Sequence, residues 1–162
     1  MSKLKDRFIV IGLGSPIMSD DAVGLRVAQA VEDLELENVD TLQEAVGGIE
    51  ILPMIHGYRY AIIVDAIQTF QQEPGTIMIF DPDHFESTVN DTFAHDVNLA
   101  TALKIGRQMD DSIMPERIRF VAIEVEDIQT MAESMTPKVE AAVPSATDAV
   151  LYLMEHITDQ DC

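Results

Sequence analysis

Residues 12–24 read GLGSPIMSDDAVG and follow the apolar run Phe8-Ile9-Val10-Ile11. An apolar strand, a glycine-rich turn and then a helix are typical of an open α/β sheet. The turn begins like a dinucleotide-binding loop, but Ile17 stands where that fingerprint needs its third glycine. Asp20 and Asp21 also place negative charge at the predicted helix start, where a phosphate would bind. The stretch therefore predicts an α/β fold and argues against a nucleotide site.

The composition predicts one globular domain over residues 1–162, with 47% hydrophobic residues to fill a single core. A formal net charge of −19 argues against nucleic acid as a partner. No apolar stretch approaches the roughly 18–20 residues of a membrane span, and no cleavage-site pattern follows the N-terminal lysines. We therefore expect a cytoplasmic protein without membrane insertion. The single cysteine, Cys162, excludes an internal disulfide and a cysteine-based zinc site.

Strand-like segments recur along the chain. Four apolar runs and one weaker segment have strand length, namely Phe8–Leu13, Ala61–Val64, Thr76–Phe80 and Ile118–Ile123, with Val39–Ala45 as the weaker one. The four runs do not alternate with polar residues, which indicates strands that are covered on both faces. No clear helix separates the two strands on either side of the Pro74-Gly75 turn. We therefore expect that pair to be antiparallel.

Helical periods fill the gaps between the strands. The first predicted helix begins after Ser19 as N-cap, and the second spans Gly48–His56 with Pro53 as a kink or stop. The third spans about His95–Met109, and the last runs from Thr136-Pro137 to about His156 with a bend at Pro144. Strands that alternate with helices predict a three-layer α/β domain. Its middle layer is a mostly parallel, five-stranded twisted sheet with helices on both faces and one antiparallel strand.

Two aspartates fall where open α/β sheets form their sites, beyond the carboxyl ends of parallel strands. Asp21 opens the helix after the first strand, and Asp65 ends the apolar run Ile62-Ile63-Val64. For Asp20 we favour the reading that it caps the helix and complements the helix dipole. Spacing alone leaves that reading open for Asp21 as well, but its position after the first strand favours a site.

A histidine would complete a ligand set, and the residues alone leave its identity open. The four histidines are His56, His84, His95 and His156, of which His95 precedes a predicted helix. Two carboxylates and an imidazole suit a borderline divalent metal with open coordination positions, which could polarise a carbonyl or activate a water. Without metal, clustered acids would share a proton instead. No G-x-S-x-G nucleophile motif is present.

Five short motifs follow one another along the chain, at Gly12–Ser15 with Ser19–Gly24, Ala61–Ala66, Pro74–Thr76, Phe93–His95 with Leu99, and Met135–Val139. In order and spacing they resemble the motifs of the [NiFe]-hydrogenase maturation endopeptidases. These are the opening G-x-G-N…D-[DE]-x-x-G, a central strand ending in D-A, a P-G-[TE] turn, a histidine segment and L-[ST]-P-x-V before the last helix. The resemblance runs from about Phe8 to about Ile157.

This resemblance implies an aspartic-type endopeptidase that removes the C-terminal extension of a hydrogenase large-subunit precursor after nickel insertion. It implies that Asp21, Asp65 and His95 are the catalytic and metal-contacting residues. Nickel would arrive with the substrate, and no organic cofactor is implied. The precursor is then the expected partner.

Two departures from the family pattern stand out. Asp21 occupies a position where many members carry glutamate, which shortens the side chain but keeps the ligand type. Gln43 stands where the family often has an aspartate, so no role of that aspartate transfers to this chain.

Three other hypotheses remain at this point. A non-catalytic nickel-binding checkpoint or chaperone would use the same three ligands and leave the precursor uncut. A nucleotide-binding enzyme would be stabilised by NAD or ATP. A related protease with another target would cleave without nickel.

Overall fold

A five-stranded sheet forms the middle layer of the protein. The computed structural model describes residues 5–45, 47–82 and 98–158. The sheet has the order β2-β1-β3-β5-β4, in which β1 pairs in parallel with β2 and β3, β3 pairs in parallel with β5, and β4 pairs antiparallel with β5. The strands are β1 (Lys5–Leu13), β2 (Val39–Glu44), β3 (Tyr58–Ile67), β4 (Ile77–Phe80) and β5 (Arg117–Glu124). The predicted mostly parallel sheet with one antiparallel strand is confirmed. The extent of the domain over all of residues 1–162 stays a prediction.

The neighbour of β4 differs from the sequence interpretation. We expected the two strands around Pro74-Gly75 to form an antiparallel pair, but β5 lies between β3 and β4. The Gly75 N–H donates to the Glu124 carbonyl at 2.7 Å, and the Glu124 N–H donates to the Thr76 carbonyl at 2.8 Å. These two bonds join the turn to the end of β5, and the following strand β4 then pairs antiparallel with β5.

Within the described residues, four helices cover the sheet and three 3-10 turns accompany them. The helices are α1 (Val23–Asp33), α2 (Leu52–Ile55), α3 (Asn98–Asp110) and α4 (Pro137–His156), and the turns are Ser19–Ala22, Gly48–Ile51 and Asp111–Ile113. The predicted helix over Gly48–His56 is a 3-10 turn followed by the short α2. The predicted start of α3 at His95 lies outside the described residues. The last helix begins after Thr136 as predicted and continues through Pro144 to His156.

The prediction that Ser19 caps the first helix is wrong. α1 begins at Val23, and Ser19 has φ 53° in the 3-10 turn, where no side chain forms a cap bond. The backbone N–H groups of Ser19 and Asp20 donate instead to the carbonyls of Ala132 and Asp127, each at 2.9 Å. Because the β5–α4 loop satisfies these donors, the turn needs no side-chain cap.

The core consists of two apolar clusters, one on each face of the sheet. On one face Val10, Ile62 and Val64 pack with residues of α1 and α4. On the other face Ile9, Ile11 and Ile63 pack with residues of α2 and α3. Because both faces are covered, the strands show continuous apolar runs without polar alternation. No helix among the described residues is long and apolar enough to span a bilayer.

A polar cluster crosses the three strands β1, β2 and β3 on the face that carries α2 and α3. Asp40 of the edge strand β2 accepts hydrogen bonds from Arg7 and from the Tyr58 hydroxyl, the latter at 2.6 Å. Burial, together with the bond to Asp40, raises the pKa of Tyr58 above its usual value. The bond to Asp40 likewise raises the pKa of Arg7. A partly exposed charged pair therefore lies on this face of the sheet, beside the edge strand.

Two glycines let α1 lie directly against the sheet. A Cβ at Gly12 of β1 would lie 2.2 Å from the Gly24 carbonyl oxygen of α1. A Cβ at Gly24 would lie 2.5 Å from the carbonyl oxygens of both Leu13 and Val64. Only a residue without a side chain allows this approach, which brings the start of α1 onto the carboxyl ends of β1 and β3.

We predict that Gly24→Ala destabilises the protein by about 3 kcal/mol, because the new methyl group must displace two backbone carbonyls. Helix propensity alone predicts the opposite effect, an increase of about 1 kcal/mol in the free energy of unfolding. Urea unfolding followed by circular dichroism measures the difference. The matched control is Gly57→Ala, which has open space around it and φ 86°, so we expect a loss of only about 1–2 kcal/mol. A Gly24→Ala protein as stable as the parent would contradict the prediction.

Candidate active site

Asp21 lies in the 3-10 turn between β1 and α1, at the carboxyl edge of the sheet. Its Oδ2 accepts a hydrogen bond from the Ser15 N–H at 3.1 Å. A Cβ at Gly14 would lie 1.9 Å from the Asp21 carbonyl oxygen, so the glycine loop wraps closely around the turn. The residue is only 5% exposed. The carboxylate thus bonds back to the glycine loop.

Asp65 lies on the neighbouring strand β3, at the same edge. Gly12 of β1 pairs with Val64 of β3, so Leu13 is the nearest residue of β1 to Asp65. The Asp65 Oδ1 accepts a hydrogen bond from the Ala66 N–H at 2.7 Å, and the residue is 5% exposed. Asp65 does not end the strand as predicted, because β3 continues to Ile67.

The 3-10 turn of Asp21 contacts β3, the strand of Asp65, so the segments that carry the two aspartates meet at this edge. At this junction Gly24, at the start of α1, packs against the carboxyl ends of β1 and β3. This is the region of an open α/β sheet in which ligand sites form. The expectation that the two aspartates share the carboxyl edge therefore agrees with their positions in the fold.

The third predicted ligand, His95, lies outside the described residues, as does His84. Within residues 5–45, 47–82 and 98–158, no three acidic, histidine or cysteine side chains are grouped so that they could hold a metal ion. His56 follows α2, and the His156 ring at the end of α4 stacks on Tyr152 with centroids 4.1 Å apart. The three-residue site at Asp21, Asp65 and His95 stays a prediction.

Asp20 is fully buried, and its side chain joins two loops. Its carboxylate accepts hydrogen bonds from the N–H groups of Glu126 and Asp127, each at 2.9 Å. It also accepts from the Thr136 N–H at 2.7 Å and from the Thr136 hydroxyl at 2.8 Å. The expectation that Asp20 is structural agrees with this geometry, but its predicted role as a cap of its own helix is wrong. Its partners lie more than 100 residues away in the chain, so the Asp20 side chain joins the β1–α1 connection to the β5–α4 connection.

The β5–α4 loop is further shaped by Asp127. Its Oδ1 accepts hydrogen bonds from the N–H groups of Gln129 and Thr130 at 2.9 and 3.0 Å. Hydrogen bonding, with Thr130 as the main donor, holds the pKa of Asp127 below its usual value. The loop that carries the Asp20 partners therefore has a defined turn of its own.

A fourth buried carboxylate at this edge, after Asp20, Asp21 and Asp65, was missed in the sequence analysis. Glu124 ends β5 and is only 1% exposed. Its side chain accepts hydrogen bonds from the Thr69 N–H at 2.8 Å and from the Thr69 hydroxyl. An acid directly after the apolar run Ile118–Ile123 is the same signal that identified Asp65, and it could have identified Glu124 too.

Gln43 lies near the carboxyl end of β2, where the family pattern often has an aspartate. It is exposed, and its Nε2 donates to the Gln29 Oε1 of α1 at 2.7 Å. The next residue, Glu44, contributes only its carbonyl, which accepts from the Gly14 N–H at 3.1 Å. The end of β2 thus supports the glycine loop through its backbone, and the Gln43 side chain contacts α1.

With this geometry established, the chain was compared with known proteins. A family model described as hydrogenase maturation protease matches residues 25–153. The chain belongs to the hydrogenase maturation protease family. The matched range contains Asp65 and His95 and begins just after Asp21. The predicted hydrolase of hydrogenase maturation is confirmed by this membership.

Relatives support the assignment over nearly the whole chain. The Hydrogenase 2 maturation protease of Escherichia coli (strain K12) is 28% identical over 148 residues, which cover 90% of this chain and 88% of that protein. The solved structure of the hydrogenase maturating endopeptidase HybD from E. coli is 27% identical, covers 94% of both chains and has a TM-score of 0.80. The [NiFe] hydrogenase maturation protease HybD from Thermococcus kodakarensis shares the fold, with a TM-score of 0.75 and 22% identity over 91% of this chain and 98% of that chain.

The buried Asp20 yields a stability prediction for this protease. Asp20→Asn removes the charge that its donors surround and places an amide N–H₂ against one or more of them, so we expect a loss of about 3 kcal/mol. Urea unfolding at neutral pH measures it. The matched control is Asp148→Asn on the exposed side of α4, for which we expect a change within about 0.5 kcal/mol. Equal midpoints for the Asp20 variant and the parent would show that the buried charge contributes nothing.

Proposed function

We propose that the protein is the endopeptidase that removes the C-terminal extension of a [NiFe]-hydrogenase large-subunit precursor after nickel has been inserted. The observation that carries the proposal is the pair of buried carboxylates, Asp21 and Asp65, where β1 and β3 meet the start of α1. Membership of the maturation protease family supports the reaction class. We also place its action in the cytoplasm, as the sequence predicts.

In this proposal Asp21, Asp65 and His95 together contact the metal of the substrate. The direction of α3 supports the inclusion of His95. α3 ends at Asp110, shortly before β5 begins at the amino edge of the sheet, so its first residue, Asn98, lies toward the carboxyl edge. His95 precedes Asn98 by three residues, which span at most about 11 Å of extended chain.

The donor set suits nickel, because imidazole is a favourable ligand for it and carboxylates are acceptable hard ligands. The metal belongs to the precursor, so the protein itself needs neither a resident metal nor an organic cofactor. Once these side chains contact it, the substrate's nickel can polarise the scissile carbonyl or lower the pKa of a water. One of the two carboxylates then accepts the proton of the attacking water as general base. A precursor without nickel lacks this activation and stays uncut.

We predict that Asp65→Asn, Asp21→Asn and His95→Ala each reduce cleavage of nickel-loaded precursor by at least about 100-fold, because each removes a ligand or the base. Mass spectrometry of the large subunit measures the loss of its C-terminal extension over time. Asp148→Asn, which changes the same charge on the exposed side of α4, should cleave like the parent.

Three outcomes would contradict this proposal, and two of them would favour one of its alternatives. Full processing by the Asp65→Asn protein would rule out the proposed site. Tight nickel binding by the parent protein without any change in precursor length would indicate the non-catalytic checkpoint. Equal cleavage of precursor with and without nickel would remove the metal from the proposal and leave a protease of the same fold.

A further inference from the structure

Four exposed apolar side chains surround the carboxyl edge on four separate segments. They are Ile17 before the Asp21 turn, Ile49 after β2, Phe70 after β3 and Met131 after β5. A single exposed apolar residue is normal on a protein surface, but a group around one functional edge indicates an interaction surface. We refer to these four residues as the apolar rim.

Hydrogen bonds connect three of the segments that carry the apolar rim. The Ala132 N–H, next to Met131, donates to the Ile17 carbonyl at 2.9 Å. The Gln68 side chain, two residues before Phe70, donates to the Glu126 carbonyl at 3.1 Å. The segments that carry Ile17, Phe70 and Met131 are therefore joined to one another and are not independent loop tips.

Among the rim residues, Phe70 has the least favourable backbone conformation and the largest exposed fraction. Its φ is 60°, and it is 84% exposed. A bulky residue is rare in this left-handed region, where glycine or asparagine is the usual choice. Because the ring is neither buried nor in a relaxed backbone position, the stability of the fold does not explain a phenylalanine here.

The backbone on both sides of Phe70 is nevertheless fixed by hydrogen bonds. The buried Glu124 accepts two hydrogen bonds from Thr69, and the Thr69 hydroxyl oxygen in turn accepts from the Gln71 N–H at 3.1 Å. The residues on both sides of Phe70 are thereby positioned by a carboxylate of the sheet. An exposed aromatic residue on a fixed backbone is the type of residue that dominates binding energy in protein interfaces.

The charge around the rim indicates the chemistry of its partner. Glu50, Glu126 and Glu133 are exposed on the same segments, and the whole chain carries a formal charge of −19. A complementary surface therefore has an apolar pocket surrounded by lysine and arginine side chains. Such a partner is a folded protein surface, since an isolated extended tail offers no pocket.

We propose that the apolar rim binds the folded body of the protein substrate, outside the segment that is cleaved, with Phe70 as the anchor residue. This inference rests on the proposed function, because it takes the hydrogenase large-subunit precursor as the occupant. The rim surrounds the edge that carries Asp21 and Asp65, so docking there delivers the scissile segment to the site.

The test measures KM and kcat for nickel-loaded precursor with the full-length protein. Phe70→Asn should raise KM by at least about tenfold and leave kcat within about twofold, because it removes an anchor and no reacting group. Asparagine tolerates the left-handed backbone, so its thermal midpoint should equal or exceed that of the parent. Phe70→Tyr should keep KM within about threefold. Higher ionic strength should raise the KM of the parent, because it screens the charges around the rim.

Met109→Asn is the matched control, since Met109 is 76% exposed near the end of α3, away from the carboxyl edge. It should leave both KM and kcat unchanged. A Phe70→Asn protein with the KM of the parent overturns the inference, and so does an equal rise in KM for Met109→Asn. If the parent itself does not cleave the precursor, the proposed function fails. The Kd of the parent and of Phe70→Asn for the same precursor then decides the docking inference separately: a tenfold weaker Kd supports it, and an equal Kd overturns it.

Discussion

The carboxyl edge of this protein depends on one buried anion, the side chain of Asp20. Three backbone N–H groups and one hydroxyl donate to it, from Glu126, Asp127 and Thr136. Inside a protein such charge-assisted bonds are strong, and an unpaired carboxylate would be costly. The Asp20 side chain therefore joins the connection that carries Asp21 to the connection that precedes α4. The two neighbouring aspartates have different partners: Asp20 accepts from the β5–α4 connection, and Asp21 accepts from the glycine loop.

The layers of the fold could be predicted from the sequence because they depend on local patterns. Continuous apolar runs indicated strands that are buried on both faces, and Thr136-Pro137 indicated the start of α4. The misassigned features depend on partners far away in the chain. Ser19 looked like an N-cap, but its backbone pairs with Ala132. The strand after Pro74-Gly75 was assigned to the wrong neighbour because the bonds of Gly75 and Thr76 to Glu124 leave no local signature.

The site was predictable to a similar extent. The rule that ligands bind beyond the carboxyl ends of strands located Asp21 and Asp65 at a common edge. The same rule applied to β5 would have added Glu124, whose carboxylate accepts hydrogen bonds from Thr69. Exposure and backbone strain at Phe70 could not be predicted, since both follow from the path of a loop that long-range bonds set. The place of His95 stays a prediction, because it lies outside the described residues.

The polar cluster of Arg7, Asp40 and Tyr58 has a consequence for the behaviour of the protein in solution. β2 is a terminal strand of the sheet, and its outer backbone groups face no further strand of the described residues. Bare strand edges of this kind promote self-association, and natural proteins protect them with inward-pointing charges. A second chain that added itself to β2 would have to dehydrate the partly exposed Arg7–Asp40 pair. The same cluster that links three strands thus protects the sheet against uncontrolled growth.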